Sequence, residues 1–146
     1  MVNIKIVKAR ENAKTPTRET EHSAGWDLYA AIPAQIGIAP GGTFVISTGL
    51  KMEIPIGWEG QVRGRSGLAT KGLQVANAPG TIDSDFRGIV GVILYNASDD
   101  IIYVNPGDRI AQLVVKPLYE VSFTEVTEAD LVETPRGDGG FGSTGQ

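Results

Sequence analysis

The sequence predicts an all-β domain, an antiparallel sandwich or jelly roll built from about ten short strands with one short helix. Three observations lead there. Apolar residues alternate with polar ones in short runs, as in Val2, Ile4, Ile6 and again in Leu50, Met52, Ile54, which is the period of a strand with one buried face. Turn residues punctuate these runs closely, at Pro40-Gly41-Gly42, at Pro55 to Gly57 and at Asn105-Pro106-Gly107-Asp108,. The 19 glycines and 8 prolines among 146 residues are high for a helical chain and suit many turns,. The length gives one domain with room for a sizeable core, and no repeat recurs at a period of roughly 20–50 residues.

Taken in order, residues 2–7 (VNIKIV) read as a half-buried strand and residues 8–23 as a long polar loop. In SAGWDLYAA, 23–31, Trp26, Leu28 and Ala30 alternate with Asp27 and Tyr29, so Asp27 is either a solvent-facing strand residue or a functional acid. Residues 35–39 and 43–48 flank the first turn. Residues 49–54 form a further strand stopped by Pro55, and 58–64 another,. RSGLATKG, 65–72, is the one helical stretch, with Ser66 as N-cap and Gly72 suited to C′,. A helix start beside Arg65 suits phosphate, the alternative being a capped turn with a solvated arginine. Residues 73–79 lead into 80–88. Strands follow at 89–96, at IIYVN and at RIAQLVVKPLYEV, where Gln112 sits among apolar neighbours and needs partners,. Beyond Val121 the chain turns acidic, with Phe123 and Val126 as residues that can still dock.

Composition narrows the chemistry. With no cysteine, disulfides, thiolate zinc sites and cysteine nucleophiles are excluded,. One histidine, His22 in a polar loop, excludes a multi-histidine metal site within the chain. A carboxylate is then the expected general base, and a hard cation on oxygen ligands the expected metal. A net charge of −4 argues against general nucleic-acid binding but not against one anionic ligand held by placed cations,. No run of about 18 apolar residues and no signal-type leader appears, so no membrane association and a cytoplasmic location are expected.

Two stretches concentrate chemistry. GTIDSDFRG, Gly80 to Gly88, puts two carboxylates at the mouth of the apolar run that begins at Ile89. Read as extended chain it sets Asp83, Asp85 and Arg87 on one face and Ile82, Ser84 and Phe86 on the other. The plain alternative is a turn in which Arg87 pairs with Asp85. RGDGGFGSTGQ, 136–146, holds too much glycine for a packed element,. It is a flexible tail or a phosphate-binding flap with Arg136, the Ser143 and Thr144 hydroxyls, and Phe141 as a stacking platform.

Five patches in order, SAGWDLYA, RSGLA, GTIDSDFRG, GDRIAQL and RGDGGFGSTG, resemble the five motifs of the homotrimeric dUTPases, which split dUTP into dUMP and pyrophosphate. NAPGTID, 77–83, fits the bacterial-type version. The resemblance covers nearly the whole chain. It implies a jelly-roll-like subunit over 1–134 and a C-terminal arm over 135–146 that closes a neighbour's site. It also implies a homotrimer with three shared active sites, dUTP as substrate and Mg²⁺ as cofactor. Such an enzyme limits uracil incorporation into DNA and supplies dUMP for thymidylate synthesis.

On that resemblance Asp83 is the general base for water attacking the α-phosphorus. Asp27 supports the metal through water. Arg65, Ser66 and Gly67 bind phosphates, and Gln112 contacts the α-phosphate region. Asn77, Gly80, Thr81, Ile82 and Phe86 form the uracil and deoxyribose pocket. Arg136, Gly142, Ser143 and Thr144 grip the γ-phosphate, and Phe141 stacks on uracil. The seven residue steps from Thr134 to Phe141 span roughly 23–25 Å when extended, enough to reach. Phe86 and Trp26 stand where the family usually has tyrosine, and Gly64 where it has proline. A bend or bulge within 82–86 is expected, because a flat strand would separate base and sugar contact. The competing readings are a dCTP deaminase of the same fold and a nucleotide-gated regulatory protein.

Overall fold

A computed structural model describes residues 1–140. Ten strands and one α-helix follow one another, with a 3₁₀ turn at Glu128–Asp130. One sheet has the order β1 (Lys5–Lys8), β4 (Thr43–Glu53), β8 (Ile89–Asn96), β6 (Leu73–Val75). The second has β2 (Trp26–Tyr29), β10 (Arg109–Pro117), β5 (Trp58–Arg63), β7 (Gly80–Ile82). A third pairs β3 (Ile36–Ile38) with β9 (Ile102–Val104). Every pairing is antiparallel. This is the jelly-roll-like, all-β fold the turn spacing predicts. Its core takes Ile46, Leu50 and Leu94 from the first sheet and Leu28 and Ile110 from the second, all 2% exposed or less.

Three local expectations shift. The first strand begins at Lys5 rather than Val2, because only from Lys5 does β4 offer a partner, Lys5 opposite Glu53. Val2, Ile4 and Ile6 are half-buried all the same. The short helix α1 spans Ser66–Ala69 and is capped by Arg65, not Ser66, with no side-chain cap bond. Ser66 is thus the first helical residue, and Gly72 (φ +90°) lies one position beyond C′. Residues 43–48 and 49–54, read as two strands, are the single strand β4 with an irregularity between Ser47 and Lys51.

That irregularity is built on Gly49. Its φ is +66°, and a Cβ there would lie 2.9 Å from both Ala13 Cβ and Ala31 Cβ. The neighbouring Thr48 is fully buried and donates its hydroxyl to Val90 O at 2.7 Å, while Leu50 N donates to Thr48 Oγ1 at 3.2 Å. Ala9 N donates to Gly49 O and Ala31 N to Ser47 O. The kink therefore ties the 9–13 loop and the end of the 26–31 segment, which holds Asp27, to the first sheet.

After β10 the chain leaves the sheets. Leu118 N donates to Gly57 O, and the backbone bonds beyond it are local, as in Asp130 N to Thr127 O and Gly137 N to Thr134 O. Phe123 and Val126 do not dock on this chain's own body; Phe123 is 96% exposed. No described helix is long and apolar enough to cross a membrane.

Gly49→Ala is expected to cost about 2–5 kcal/mol, the left-handed backbone term plus overpacking. Gly41→Ala, at φ +69° with no atom near the added Cβ, should cost only the backbone term of about 1–2 kcal/mol. Urea unfolding of the two variants measures the difference, and equal losses would remove the packing role assigned to Gly49.

Candidate active site

Two clusters of predicted residues form, at different places. The first gathers around Asp27. Alternation in β2 places Trp26 and Leu28 on the core face and Asp27 on the other, as expected. That other face is not solvent, however: Asp27 is 4% exposed. Its Oδ1 accepts from Arg65 Nε at 3.1 Å and from Gln112 Nε2 at 3.3 Å, and its Oδ2 from Arg109 Nη1 at 3.2 Å. The solvent-facing reading of Asp27 is therefore wrong, since tertiary partners close over it. Unpaired, a carboxylate so buried would cost several kcal/mol. Here two guanidiniums and an amide satisfy it.

Arg65 sits just before α1, and its Nη1 also donates to Arg109 O at 3.2 Å. Both contacts anchor its guanidinium. The first N–H groups of α1, those of Ser66 and Gly67, have no intrahelical partner by helix geometry. Gln112 is held against Asp27, and a Cβ on Gly25 would come within 2.9 Å of its side-chain amide. The amide thus has the partner its apolar surroundings demand. Arg109 belongs to this cluster, although its sequence context gave it no role.

The second cluster is the hairpin pocket, about 150 Å³, lined by Val62, Asn77, Gly80, Thr81, Ile82, Asp83, Phe86, Val90 and Gly91. Among the described residues, Asp83 is the one ionisable side chain lining it. The pocket floor depends on close approach, because a Cβ on Gly80 would fall 2.9 Å from Asn77 Nδ2. The chain bends after Ile82, where β7 ends and Phe86 N donates to Asp83 O at 3.2 Å. This turn brings Asp83 and Phe86 to one pocket, as the expected bend requires. Arg87 does not pair with Asp85. Its Nη1 donates instead to Ser84 O at 2.7 Å and Phe86 O at 2.9 Å, stapling the turn through its carbonyls.

Sheet register sets the distance between the clusters. Asp27, Gln112 and Arg63 lie in one row across β2, β10 and β5. On β7, Ile82 is opposite Gly60, so Asp83 leaves the sheet four residues along β5 from that row and three strand spacings across. The backbones of Asp83 and Asp27 are thereby on the order of 20 Å apart. A triphosphate, two P–O–P links long, spans less than half of that.

Arg136 is within the described residues and donates from Nε to Gly139 O at 2.8 Å on an exposed segment, away from both clusters' hydrogen bonds. Phe141, Gly142, Ser143 and Thr144 lie outside the described residues. No group of three or more His, Asp or Glu side chains able to hold a metal forms among the described residues.

Comparison with known proteins identifies the family. The dUTPase family model matches residues 11–145. The deoxyuridine 5'-triphosphate nucleotidohydrolase of Syntrophotalea carbinolica is 45% identical over 145 residues, covering 99% of this chain and 97% of its own. Among solved structures, a point mutant of the Staphylococcus bacteriophage 80alpha dUTPase, with dUpNHpp, superposes with a TM-score of 0.85 at 26% identity over 99% of each chain. A point mutant of the dUTPase from phage phi11 of S. aureus, described with a structural Mg(II) ion, gives 0.75 at 26% identity over 88% of this chain and 99% of that one. By its sequence and by its fold, the chain belongs to the dUTPase family.

Proposed function

We propose that this chain hydrolyses dUTP to dUMP and pyrophosphate, with Asp83 as the general base for the water that attacks the α-phosphorus. The observation that carries the reading is the position of Asp83, the sole ionisable group among the described residues lining a pocket otherwise made of small, apolar and amide side chains. Asn77, Gly80, Thr81 and Ile82 supply close backbone and an amide to read a uracil edge, and a narrow pocket resists a 5-methyl group. Phe86 presses on the deoxyribose and rejects a 2′-hydroxyl by contact.

The phosphates fall to the other cluster. Arg65 with the Ser66 and Gly67 N–H groups binds them, and Gln112 contacts the α-phosphate region. Phosphoryl transfer needs mainly positioning and charge neutralisation, which suits an arginine already fixed by a buried carboxylate. Mg²⁺ fits this donor set only through water. A carboxylate offers about four lone-pair sites, and three on Asp27 are taken by Arg65, Gln112 and Arg109. One site remains for a metal-bound water, and direct coordination beside two guanidiniums is disfavoured. When bound, the ion neutralises triphosphate charge; water and phosphate oxygens complete its shell.

Because the base and the phosphate cluster of one chain stand on the order of 20 Å apart, one dUTP cannot use both. The working site therefore joins Asp83 of one copy to the Asp27 cluster of another, in a homotrimer with three shared sites. Exposed apolar side chains on β4, Phe44 at 45% and Val45 at 59%, support burial against further copies. The arm over 135–146 reaches a neighbouring site, where Arg136, Gly142, Ser143 and Thr144 hold the γ-phosphate and Phe141 covers the base. The protein works in the cytoplasm, away from nucleic acid and membrane, and withdraws dUTP before it enters DNA.

Pyrophosphate release measured on dUTP, dTTP, dCTP and UTP, with and without Mg²⁺, tests the reading. Turnover confined to dUTP is expected, and ammonia release from dCTP would overturn it. Asp83→Asn is expected to lower kcat by at least about 10²–10⁴-fold while dUTP still binds; wild-type rates would remove Asp83 as base. Truncation after Thr134 is expected to leave a folded trimer with little activity by light scattering and assay. A truncated protein that falls to monomers would make the arm structural instead.

A further inference from the structure

We propose that Gly88 is the seat of the Phe86 ring and Arg87 the clamp on the turn that carries it, so that these two residues set how strictly the site rejects a ribose 2′-hydroxyl. The inference rests on the placement of the deoxyribose at Phe86 and assigns the precision of that contact to two positioning residues beside it.

Space at Gly88 carries it. A Cβ there would lie 2.5 Å from Cζ of Phe86, 2.8 Å from its Cε2 and 3.4 Å from its Cε1. The three nearest atoms all belong to one ring, so the ring rests on the Gly88 backbone. Gly88 is not among the glycines with left-handed φ, as Gly49 and Gly72 are, so its conformation does not call for glycine. The close approach of the ring does. Phe86 lines the hairpin pocket beside Asn77 and Asp83 and is 42% exposed. A methyl added at position 88 therefore meets the far end of a side chain with room to swing, not packed backbone. The sheet keeps its stability and the ring loses its place.

The other end of Phe86 is fixed by its backbone. Phe86 N donates to Asp83 O at 3.2 Å, and Arg87 Nη1 donates to Ser84 O at 2.7 Å and to Phe86 O at 2.9 Å. One guanidinium nitrogen thus ties the carbonyls on either side of Asp85 with charge-assisted bonds. They hold the direction in which the Phe86 side chain leaves the turn. A ring clamped at its root and resting on a glycine presents one surface at one depth. That stiffness is what selectivity needs here. An apolar wall discriminates poorly against an added hydroxyl, and it does so only as far as it resists moving. A retreat on the order of 1 Å from van der Waals contact makes room for the oxygen.

Kinetics of the full-length protein on dUTP and UTP, with calorimetric binding of dUMP and UMP, test this in Gly88→Ala, Phe86→Ala, the double variant of both, Arg87→Ala and Arg87→Lys. Gly88→Ala is expected to lower the kcat/KM ratio of dUTP over UTP, and the affinity ratio of dUMP over UMP, by about 10-fold or more, with the urea midpoint unchanged. Without the ring the added methyl has nothing to strike, so the double variant should match Phe86→Ala in both ratios. Equal losses from Gly88→Ala with and without the ring would overturn the inference. If Phe86→Ala lowers both ratios and Gly88→Ala does not, the seat falls while the sugar contact stands. If Phe86→Ala leaves them unaltered, the deoxyribose placement itself falls. Arg87→Ala should lower the ratios about 3- to 10-fold, and Arg87→Lys should recover part of that. A lower urea midpoint with unaltered ratios would remove the clamp. Should Gly88→Ala fail to melt cooperatively, the double variant is expected to restore cooperative unfolding; failure to restore it would put the clash on the fold and overturn the inference.

Discussion

The buried carboxylate of Asp27 is the interaction on which the rest of the site depends. It sits on the outer face of the second sheet and is nearly inaccessible, yet three donors from three different segments converge on it. Arg65 arrives from the end of β5, Gln112 from the middle of β10, and Arg109 from the start of β10, where a bulge sets Arg109, not Ile110, opposite Tyr29. Desolvating a carboxylate is costly, and its attraction to two guanidiniums offsets that cost only in a fixed geometry. The same requirement holds the arginines still. On the proposed function, a phosphate chain arriving there would meet cations whose positions are already set, which is the form of preorganisation that phosphoryl transfer uses most.

The second constraint is separation. Antiparallel pairing carries β7 away from the Asp27 row, and the turn after Ile82 places Asp83 and Phe86 together at a pocket of their own. On the proposed function, one chain would hold the base and nucleoside pocket in one place and the phosphate donors in another. The proposed assembly would also cover exposed apolar side chains on β4 and the segment after Leu118, where Phe123 is 96% exposed. On that proposal, assembly and catalysis would use the same surfaces.

Much of this was legible in the chain. Period-two alternation and turn spacing indicated ten short strands and the antiparallel class. The absence of cysteine and the single loop histidine pointed the chemistry to carboxylates. Gln112 stood out by its apolar neighbours, whereas the roles of Asp83 and Arg65, and the bend expected within 82–86, came from the family resemblance. The misreadings share a cause. Ser66 as N-cap, an Asp85–Arg87 pair and a solvent-facing Asp27 each assigned a polar side chain its nearest sequence neighbour or water. In the fold each position is governed by segments distant in sequence or by main-chain carbonyls.

Short-range pattern, which depends only on side-chain period and turn chemistry, was enough for the sequence by itself to determine the all-β class, the order of its elements and the family motifs. Tertiary structure alone decided three things: that Asp27 is enclosed, that the two clusters stand apart, and that Arg109 belongs with Arg65. Each depends on strand register, and register is set by long-range pairing. The bulge at Ile110 shows why. One extra residue in β10 moves Arg109 from the core face to the site, and nothing in the letters GDRIAQL marks where the ladder slips.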